Sequence, residues 1–206
     1  SFGYDENKKI INNLSLKIEP GEKVCIMGAE GSGKSTLLKL LTGSYTEFGG
    51  NILVNKIPIK NYDIQSLRSH TGIFLSQQDI FQGSLEENIT MGNKDIDRTE
   101  VIDLFEKVGL SNFLHSLKDG FDTQLDPTGH RLSKNVIHKL LLVRALVNEP
   151  RLLLMEDPLA GLEETYSQQI QKLLLDKKNP ATVIISTNDE NFARLCDKTI
   201  RINPTV

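Results

Sequence analysis

The sequence predicts an α/β fold with a phosphate-binding loop, an N-terminal antiparallel β part and an inserted α-helical subdomain. First, an apolar strand runs directly into a glycine-rich loop, and a helix follows it. Second, short apolar strands recur later in the chain, at 72–76, 151–155 and 181–186. Third, the strand pattern stops between Ser84 and about Val147, where apolar residues recur at helical spacing. We therefore predict an α/β core over 1–76 and 148–206 and a helical subdomain over 77–147.

The glycine-rich loop begins at Gly28 and reads G-x-x-x-x-G-K-S. Its glycines let successive backbone N–H groups close around a phosphate, next to a helix N-terminus that favours an anion. Lys34 is expected to reach the β- and γ-phosphates of a nucleotide, and the Ser35 hydroxyl to ligate Mg²⁺. The alternative is a chance glycine-rich turn, but the strand before the loop and the helix after it favour nucleotide binding. The predicted nucleotide contacts are Gly28, Glu30, Gly31, Ser32, Gly33, Lys34, Ser35 and Thr36.

Polar residues follow the later core strands. Gln77 lies after the strand at 72–76, and the carboxylates Glu156 and Asp157 follow the strand at 151–155. Ligands bind at the carboxyl edge of the sheet in α/β folds, so Gln77 is compatible both with a metal or water ligand and with an ordinary loop glutamine. Next to a phosphate-binding loop, the two carboxylates predict the second half of a Mg–nucleotide site. One would hold Mg²⁺ and the other would orient or deprotonate the attacking water; a surface acidic pair is the alternative.

At the N-terminus, Phe2 and Tyr4 open a strand that is predicted to pair with residues 10–18. Tyr4 is either a packing residue or an aromatic face for an adenine ring. In the helical part, Asp97 and Ser133 are predicted to begin amphipathic helices.

The composition and charge of the chain argue against several classes of function. The formal net charge of -3 gives no general attraction to nucleic acid or to an anionic membrane. No apolar run approaches the length of a membrane span, and no signal peptide is visible. Cys25 and Cys196 stand in apolar segments, and we expect both to be core thiols of a cytosolic protein. The chain starts inside a structured pattern at Ser1, so we expect it to be excised from something longer.

With these motifs in this order, the whole chain over 1–206 resembles the nucleotide-binding domain of an ABC transporter. The stretch from Gln77 to Ile89 and the triplet Arg144-Ala145-Leu146 are most similar to the exporter branch. The resemblance implies a P-loop NTPase core of the RecA-like type with ATP and Mg²⁺ as its cofactors. It implies Tyr4 as the adenine-stacking aromatic, and a position for Asp126 to Arg131 beside the loop that touches the membrane domain. The implied metal ligands are Ser35, Gln77 and Glu156, and the implied catalytic residues are Asp157, Glu156, Gln77 and Asn188.

The resemblance also implies partners. Domains of this kind act in pairs, with each ATP held between the phosphate-binding loop of one subunit and a signature segment of the other, and closure of the pair drives the transmembrane domain. Here the signature segment is residues 132–136, and Ser133, Lys134 and Asn135 would contact the nucleotide of the second subunit. The expected location is the cytoplasmic face of the inner or plasma membrane. No nucleic-acid partner is expected.

Several positions depart from the family pattern. Lys134 and Asn135 replace two glycines, and their side chains should hinder the approach of backbone N–H groups to the partner's γ-phosphate, although Lys134 offers a cation in compensation. Asp157 replaces a longer glutamate, and a misplacement of about 1 Å costs roughly a hundredfold in rate. Asn188 replaces a histidine, and its amide side chain can neither take up a proton nor carry a charge at neutral pH. Glu163 replaces an aspartate. We expect ATP binding to be retained and hydrolysis to be slow.

Three functions remain open at this point. The chain is a working ATPase motor of an exporter, or it is an ATP-dependent dimerisation or regulatory module with little or no hydrolysis. The third alternative, an ABC-type ATPase that acts on DNA or ribosomes, is disfavoured by the net negative charge and by the lack of a coiled-coil insert.

Overall fold

The computed structural model describes residues 1–4, 9–126 and 132–204. The strands in these ranges are β1 (Lys23–Met27), β2 (Leu53–Val54), β3 (Ile57–Pro58), β4 (Thr71–Phe74), β5 (Gly83–Ser84), β6 (Gln124–Leu125), β7 (Leu152–Glu156), β8 (Thr182–Ser186) and β9 (Lys198–Arg201). The helices are α1 (Lys34–Leu41), α2 (Ile64–Ser69), α3 (Leu85–Thr90), α4 (Arg98–Val108), α5 (Ser111–Ser116), α6 (Lys134–Leu146), α7 (Glu164–Leu175) and α8 (Glu190–Leu195), and short 3-10 turns lie at Ile59–Asn61 and Gly120–Asp122.

Five strands form a central sheet in the order β4-β7-β8-β1-β9, and every neighbouring pair is parallel. All residues of β1 are buried, as expected for a parallel sheet with both faces covered. In the register, Ser186 lies opposite both Ile26 and Glu156, so three strands end at nearly the same level. The predicted α/β fold class is confirmed, and the sheet has one carboxyl edge from which the loops after β1, β4, β7 and β8 emerge.

Alternate residues of the strands point into two different cores, because side chains in a strand alternate between the faces of the sheet. Leu154 and Ile184 pack with α1 residues such as Leu38 on one face. On the other face, Leu153 and Met155 share a larger core with the helices α3 to α7.

The helical segment between β4 and β7 is attached closely to the sheet. A Cβ atom placed on Gly72 in β4 would lie 1.9 Å from the carbonyl oxygen of Ala145 in α6, so the two backbones nearly touch there. Arg144 donates to the carbonyl oxygen of Asn88 in α3 at 2.6 Å and to that of Asp79 at 3.1 Å. The helical segment therefore shares a core with the sheet, and the domain boundaries at residues 77 and 147 stay a prediction.

The predicted caps of two helices are present. Asp97 accepts a hydrogen bond from Thr99 N and begins α4, and Ser133 accepts one from Val136 N and begins α6. The antiparallel segment between β5 and β6 was not foreseen in the sequence.

The N-terminal antiparallel part is shorter than predicted. It consists of an isolated bridge between Phe2 and Ile11 and of the pair β2–β3. Of the strand predicted over residues 10–18, only the bridge at Ile11 is present, and residues 12–18 form no strand ladder with any described residue. The carbonyl oxygen of Lys17, for example, accepts from the ammonium group of Lys198 at 2.8 Å rather than from a neighbouring strand.

Cys25 is buried and Cys196 is half-buried, and the two lie in one small apolar cluster with Met27 and Ala193. In the described residues, no helix combines the length and the apolar character needed to cross a bilayer. The stretch 127–131, which was predicted to lie beside the loop that touches the membrane domain, is outside the described residues.

Candidate nucleotide-binding site

The glycine-rich loop connects β1 to α1 at the carboxyl edge of the sheet. Gly33 has φ 93°, a left-handed conformation that glycine adopts without strain, and its carbonyl oxygen accepts the first helical hydrogen bond, from Leu37 N at 2.8 Å. A Cβ atom at Gly33 would lie 3.1–3.2 Å from Ile10 and Ile11, so the N-terminal segment packs directly on this loop. The loop thus places α1 with its N-terminus towards the edge where ligands bind in α/β sheets.

Lys34 folds back over the loop. Its ammonium group donates to the carbonyl oxygens of Gly28 at 2.6 Å and Ala29 at 3.0 Å. The Ser32 hydroxyl in the same loop is fully buried and has no hydrogen-bond partner among the described residues. Buried polar groups are normally paired, so this hydroxyl and the cation above the loop fit an anion-binding cradle. Glu30 is exposed at the turn of the loop.

Ser35, the first predicted metal ligand, contacts the second. Its hydroxyl donates to Oε1 of Glu156 in a short hydrogen bond, and Ser76 N donates to Oε2 of the same carboxylate at 3.0 Å. Burial alone would raise the pKa of Glu156, but the hydrogen bonds from Ser35 and Ser76 and the nearby charge of Lys39 outweigh it and lower the pKa. Glu156 is therefore a carboxylate at neutral pH.

Gln77, the third predicted metal ligand, meets the same helix. Its Oε1 atom accepts a hydrogen bond from Lys39 Nζ at 2.6 Å. Ser35 and Lys39 are four residues apart on α1, so they share one face of the helix. This face of α1 consequently contacts Glu156 through Ser35 and Gln77 through Lys39. Lys39 was missed in the sequence, because its contact with Gln77 joins segments 38 residues apart and no local pattern indicates it.

Asp157, the predicted catalytic carboxylate, is exposed at the end of β7. Its φ angle of 44° is left-handed, and its backbone N–H donates to the carbonyl oxygen of Ser186 at 2.8 Å. Aspartate tolerates this conformation better than most residues do. The Ser186 hydroxyl is buried and, within the described ranges, has no hydrogen-bond partner.

Asn188 follows β8 and contacts the phosphate-binding loop. Its Oδ1 atom accepts from the backbone N–H of Gly28 at 3.3 Å. Tyr4 also lies against the loop and helix, because its hydroxyl is 3.2 Å from Oγ1 of Thr36. The ring of Tyr4 is 51% exposed and meets Phe2 edge-on, which leaves aromatic surface accessible beside α1.

The predicted signature residues form a separate group at the start of α6. Ser133 caps the helix, Lys134 is exposed, and Asn135 Nδ2 donates to the carbonyl oxygen of Gly161 at 2.9 Å. Within the part of the chain that the structure describes, their hydrogen bonds reach Val136 and Gly161 and not the phosphate-binding loop. The structure therefore brings together residues 28–36, 77, 156 and 188, and it leaves residues 133–135 outside that group.

A phosphate-binding loop at the carboxyl edge of a parallel sheet, with an ionised carboxylate beside its serine, defines a nucleotide-binding domain of the P-loop class. The ABC transporter family matches residues 11–160, and the chain belongs to this family. It is an ABC transporter ATP-binding domain, similar to those of exporters.

Individual relatives agree with this assignment. The chain is 31% identical over 202 residues to a probable ABC transporter ATP-binding/permease protein of Haemophilus influenzae. The match covers 98% of this chain and 36% of that protein. It is 34% identical over 176 residues to the mitochondrial iron-sulfur clusters transporter ATM1 of Saccharomyces cerevisiae, covering 85% of this chain and 26% of that protein.

A solved structure of a bacterial Atm1-family ABC exporter with ATP bound is also similar, with a TM-score of 0.87 and 26% sequence identity. The match covers 100% of this chain and 36% of that one. The chain thus spans about a third or less of the length of these relatives.

Proposed function

We propose that the chain binds ATP with Mg²⁺ and pairs with a second nucleotide-binding domain, and that closure of the pair powers transport through the transmembrane domain of an exporter. Hydrolysis of ATP at this site is slow. The observation that carries the proposal is the face of α1 on which Ser35 meets Glu156 and Lys39 meets Gln77, directly after an intact phosphate-binding loop.

The loop supplies what a triphosphate requires. Among the described residues, the ammonium group of Lys34 donates to two carbonyl oxygens, which it can exchange for phosphate oxygens. The left-handed glycines leave room for close approach of an anion. Tyr4 offers an aromatic face for adenine next to Thr36. The residues proposed to hold the nucleotide are Tyr4, Gly28, Glu30, Gly31, Ser32, Gly33, Lys34, Ser35 and Thr36, with Ser133, Lys134 and Asn135 on the nucleotide of the partner subunit.

The donor set fits Mg²⁺. Ser35, Gln77 and Glu156 offer a hydroxyl, an amide oxygen and an ionised carboxylate, which are hard oxygen donors. No cluster of three or more acidic, histidine or cysteine side chains occurs in the described residues, as expected where phosphate oxygens and waters complete the shell. Bound Mg²⁺ would neutralise charge on the transferred phosphoryl group.

Slow hydrolysis follows from the residues around this site. Asp157 is the proposed group that orients or deprotonates water, and it is one methylene shorter than glutamate. Asn188 accepts a hydrogen bond from Gly28 N through Oδ1, and its amide group can donate a hydrogen bond but carries no charge and transfers no proton at neutral pH. We propose Glu156 and Gln77 as the remaining residues of the catalytic set.

The partners follow from the relatives, several of which join ATP-binding and permease parts in one protein. We propose a transmembrane domain as one partner and a second nucleotide-binding domain as the other. The domain would then act at the cytoplasmic face of the membrane that holds the transporter.

A second candidate is an ATP-dependent dimerisation module without useful hydrolysis. The observation that favours it is the signature segment, where the side chains of Lys134 and Asn135 stand in place of glycines at the start of α6. In this case ATP would hold the pair together, and turnover would be left to another site.

The two candidates separate in one experiment. ATP binding and Mg²⁺-dependent phosphate release are measured together at high protein concentration, with Lys34→Ala as the blank. ATP binding that is lost in the blank supports both candidates, and release above the blank supports the slow motor. Bound ATP without release supports the module, and ATP affinity that survives Lys34→Ala contradicts both.

A further inference from the structure

Two side chains of α6 bind the loop that follows Asp157. Asn135 Nδ2 donates to the carbonyl oxygen of Gly161 at 2.9 Å. His138 Nε2 lies 3.0 Å from the carbonyl oxygen of Pro158. A carbonyl oxygen only accepts hydrogen bonds, so Nε2 carries the imidazole proton in this arrangement. The loop over residues 157–162, here called the carboxylate loop, is thus bonded to the helix at two points.

The spacing of the contacts makes them act together. Residues 135 and 138 are three apart on a helix and share one face, and their acceptors at 158 and 161 are also three apart. Leu159 and Leu162 of this loop pack against the same core as Val136 of the helix. The carboxylate loop therefore lies along the first turns of α6.

The other end of the carboxylate loop is fixed by the sheet. Asp157 N donates to the carbonyl oxygen of Ser186, and Ala160 N donates to the carbonyl oxygen of Asp157 at 3.1 Å. The left-handed φ of Asp157 is an unfavourable conformation that persists only where the surrounding contacts hold it. Asn135 supplies one of these contacts from outside the loop.

We propose that Asn135 is a positioning residue whose amide holds the carboxylate loop on α6 and so keeps Asp157 in its observed conformation. This inference rests on the proposed function, because the position of Asp157 matters to chemistry only if ATP is hydrolysed here. It assigns the side chain at 135 a role within its own subunit, in place of a mere obstruction towards the nucleotide of the partner.

The tether is tested by amide hydrogen exchange of the carboxylate loop in the nucleotide-free protein. Asn135→Asp keeps the size but removes the donor, and an acidic residue in the first turn of a helix does not destabilise α6. Asn135→Ala is the second variant without a donor. Asn135→Gln keeps the donor on a side chain that is one methylene longer. Lys134→Ala is the matched control at the neighbouring exposed position.

Loss of one hydrogen bond corresponds to about fivefold faster exchange of the loop amides, such as those of Ala160 and Leu162. We expect this acceleration in Asn135→Asp and Asn135→Ala, near-normal exchange in Asn135→Gln, and no change in Lys134→Ala. Unchanged exchange in both donor-free variants overturns the proposal. Equal acceleration in Asn135→Gln overturns it as well, because the donor would then be irrelevant.

A kinetic measurement separates positioning from obstruction. If Asn135 positions Asp157, Asn135→Ala lowers kcat for Mg²⁺-dependent phosphate release, and Asn135→Gln, which keeps the donor, restores it. If the side chain only obstructs the nucleotide of the partner, the smaller alanine raises kcat or lowers KM, and the proposal fails. Absence of release in every variant, the unsubstituted protein included, refutes hydrolysis in the proposed function, while the exchange data still decide whether the tether exists.

Discussion

Replacing Asp157 by glutamate should accelerate ATP hydrolysis. The longer side chain moves the carboxylate by one methylene, and a change of about 1 Å in the position of a reacting group alters rates by roughly a hundredfold. The backbone opposes this gain, because φ at this position is 44°. Glutamate tolerates a left-handed conformation less well than aspartate, by about 1 kcal/mol, which corresponds to a roughly fivefold lower population of the observed loop conformation.

The expected gain from the position of the carboxylate is larger than the expected loss from backbone strain, so the net effect should be a faster reaction. We expect phosphate release by Asp157→Glu to be about 20-fold faster than by the unsubstituted protein, which is the ratio of these two factors. The same strain should lower the melting temperature by about 2–4 °C for a domain of this size.

The assay is single-turnover phosphate release with Mg²⁺–ATP and protein in excess, with Asp157→Gln as the matched control. Glutamine has the length of glutamate but no carboxylate, so its release should stay at the level of the Lys34→Ala blank. If the Asp157→Glu protein is folded, binds ATP normally and releases phosphate no faster than the unsubstituted protein, the length of the side chain that carries the carboxylate does not limit the reaction.

Three further predictions concern the same domain. Lys39→Met removes a cation beside the proposed metal ligands and should lower the Mg²⁺ concentration for half-maximal ATP binding about threefold to tenfold, whereas Lys118→Met should not. Gly72→Ala should cost about 3 kcal/mol or more in urea unfolding because its Cβ meets backbone at 1.9 Å. Gly49→Ala should cost less than about 0.5 kcal/mol, because its Cβ would make ordinary contacts with Ser1 at 3.7 and 3.9 Å. Because the pKa of Glu156 is lowered in the folded protein, its ionised carboxylate stabilises the fold at pH values above the ordinary pKa of 4.5. This contribution is lost as the pH falls through the folded pKa. Glu156→Gln should therefore weaken the dependence of unfolding free energy on pH as the pH falls below about 4.5.

The sequence predicted the parts of the fold that depend on local pattern. Buried apolar strands, the glycine-rich loop and the caps at Asp97 and Ser133 each follow from the residues of a single segment. The strand predicted over residues 10–18 was wrong beyond Ile11, because alternation of apolar residues does not reveal whether a neighbouring strand is available as a partner. The carbonyl of Lys17 meets a lysine side chain instead.

In the site, the order of the strands allows some contacts between distant segments to be anticipated from the sequence, and other contacts depend on packing that the sequence does not reveal. The meeting of Ser35 with Glu156 follows from the topology of parallel strands, which places both at one edge. The partners of Lys39 and Asn135 are set by packing across 38 and 26 residues of chain, respectively, and no local pattern encodes them. The left-handed backbone at Asp157 is likewise imposed by its surroundings.

The near contact between Gly72 and Ala145 has a consequence for motion. It joins β4 to α6 with no side chain between the backbones, and Arg144 then connects the same helix to the carbonyl oxygen of Asp79. We therefore expect β4, α6 and Asp79 to move together. A displacement of Gln77 would then require changes in the backbone torsions between Phe74 and Asp79. Because both ends of this segment are fixed, we expect it to permit rotation of Gln77 but little translation.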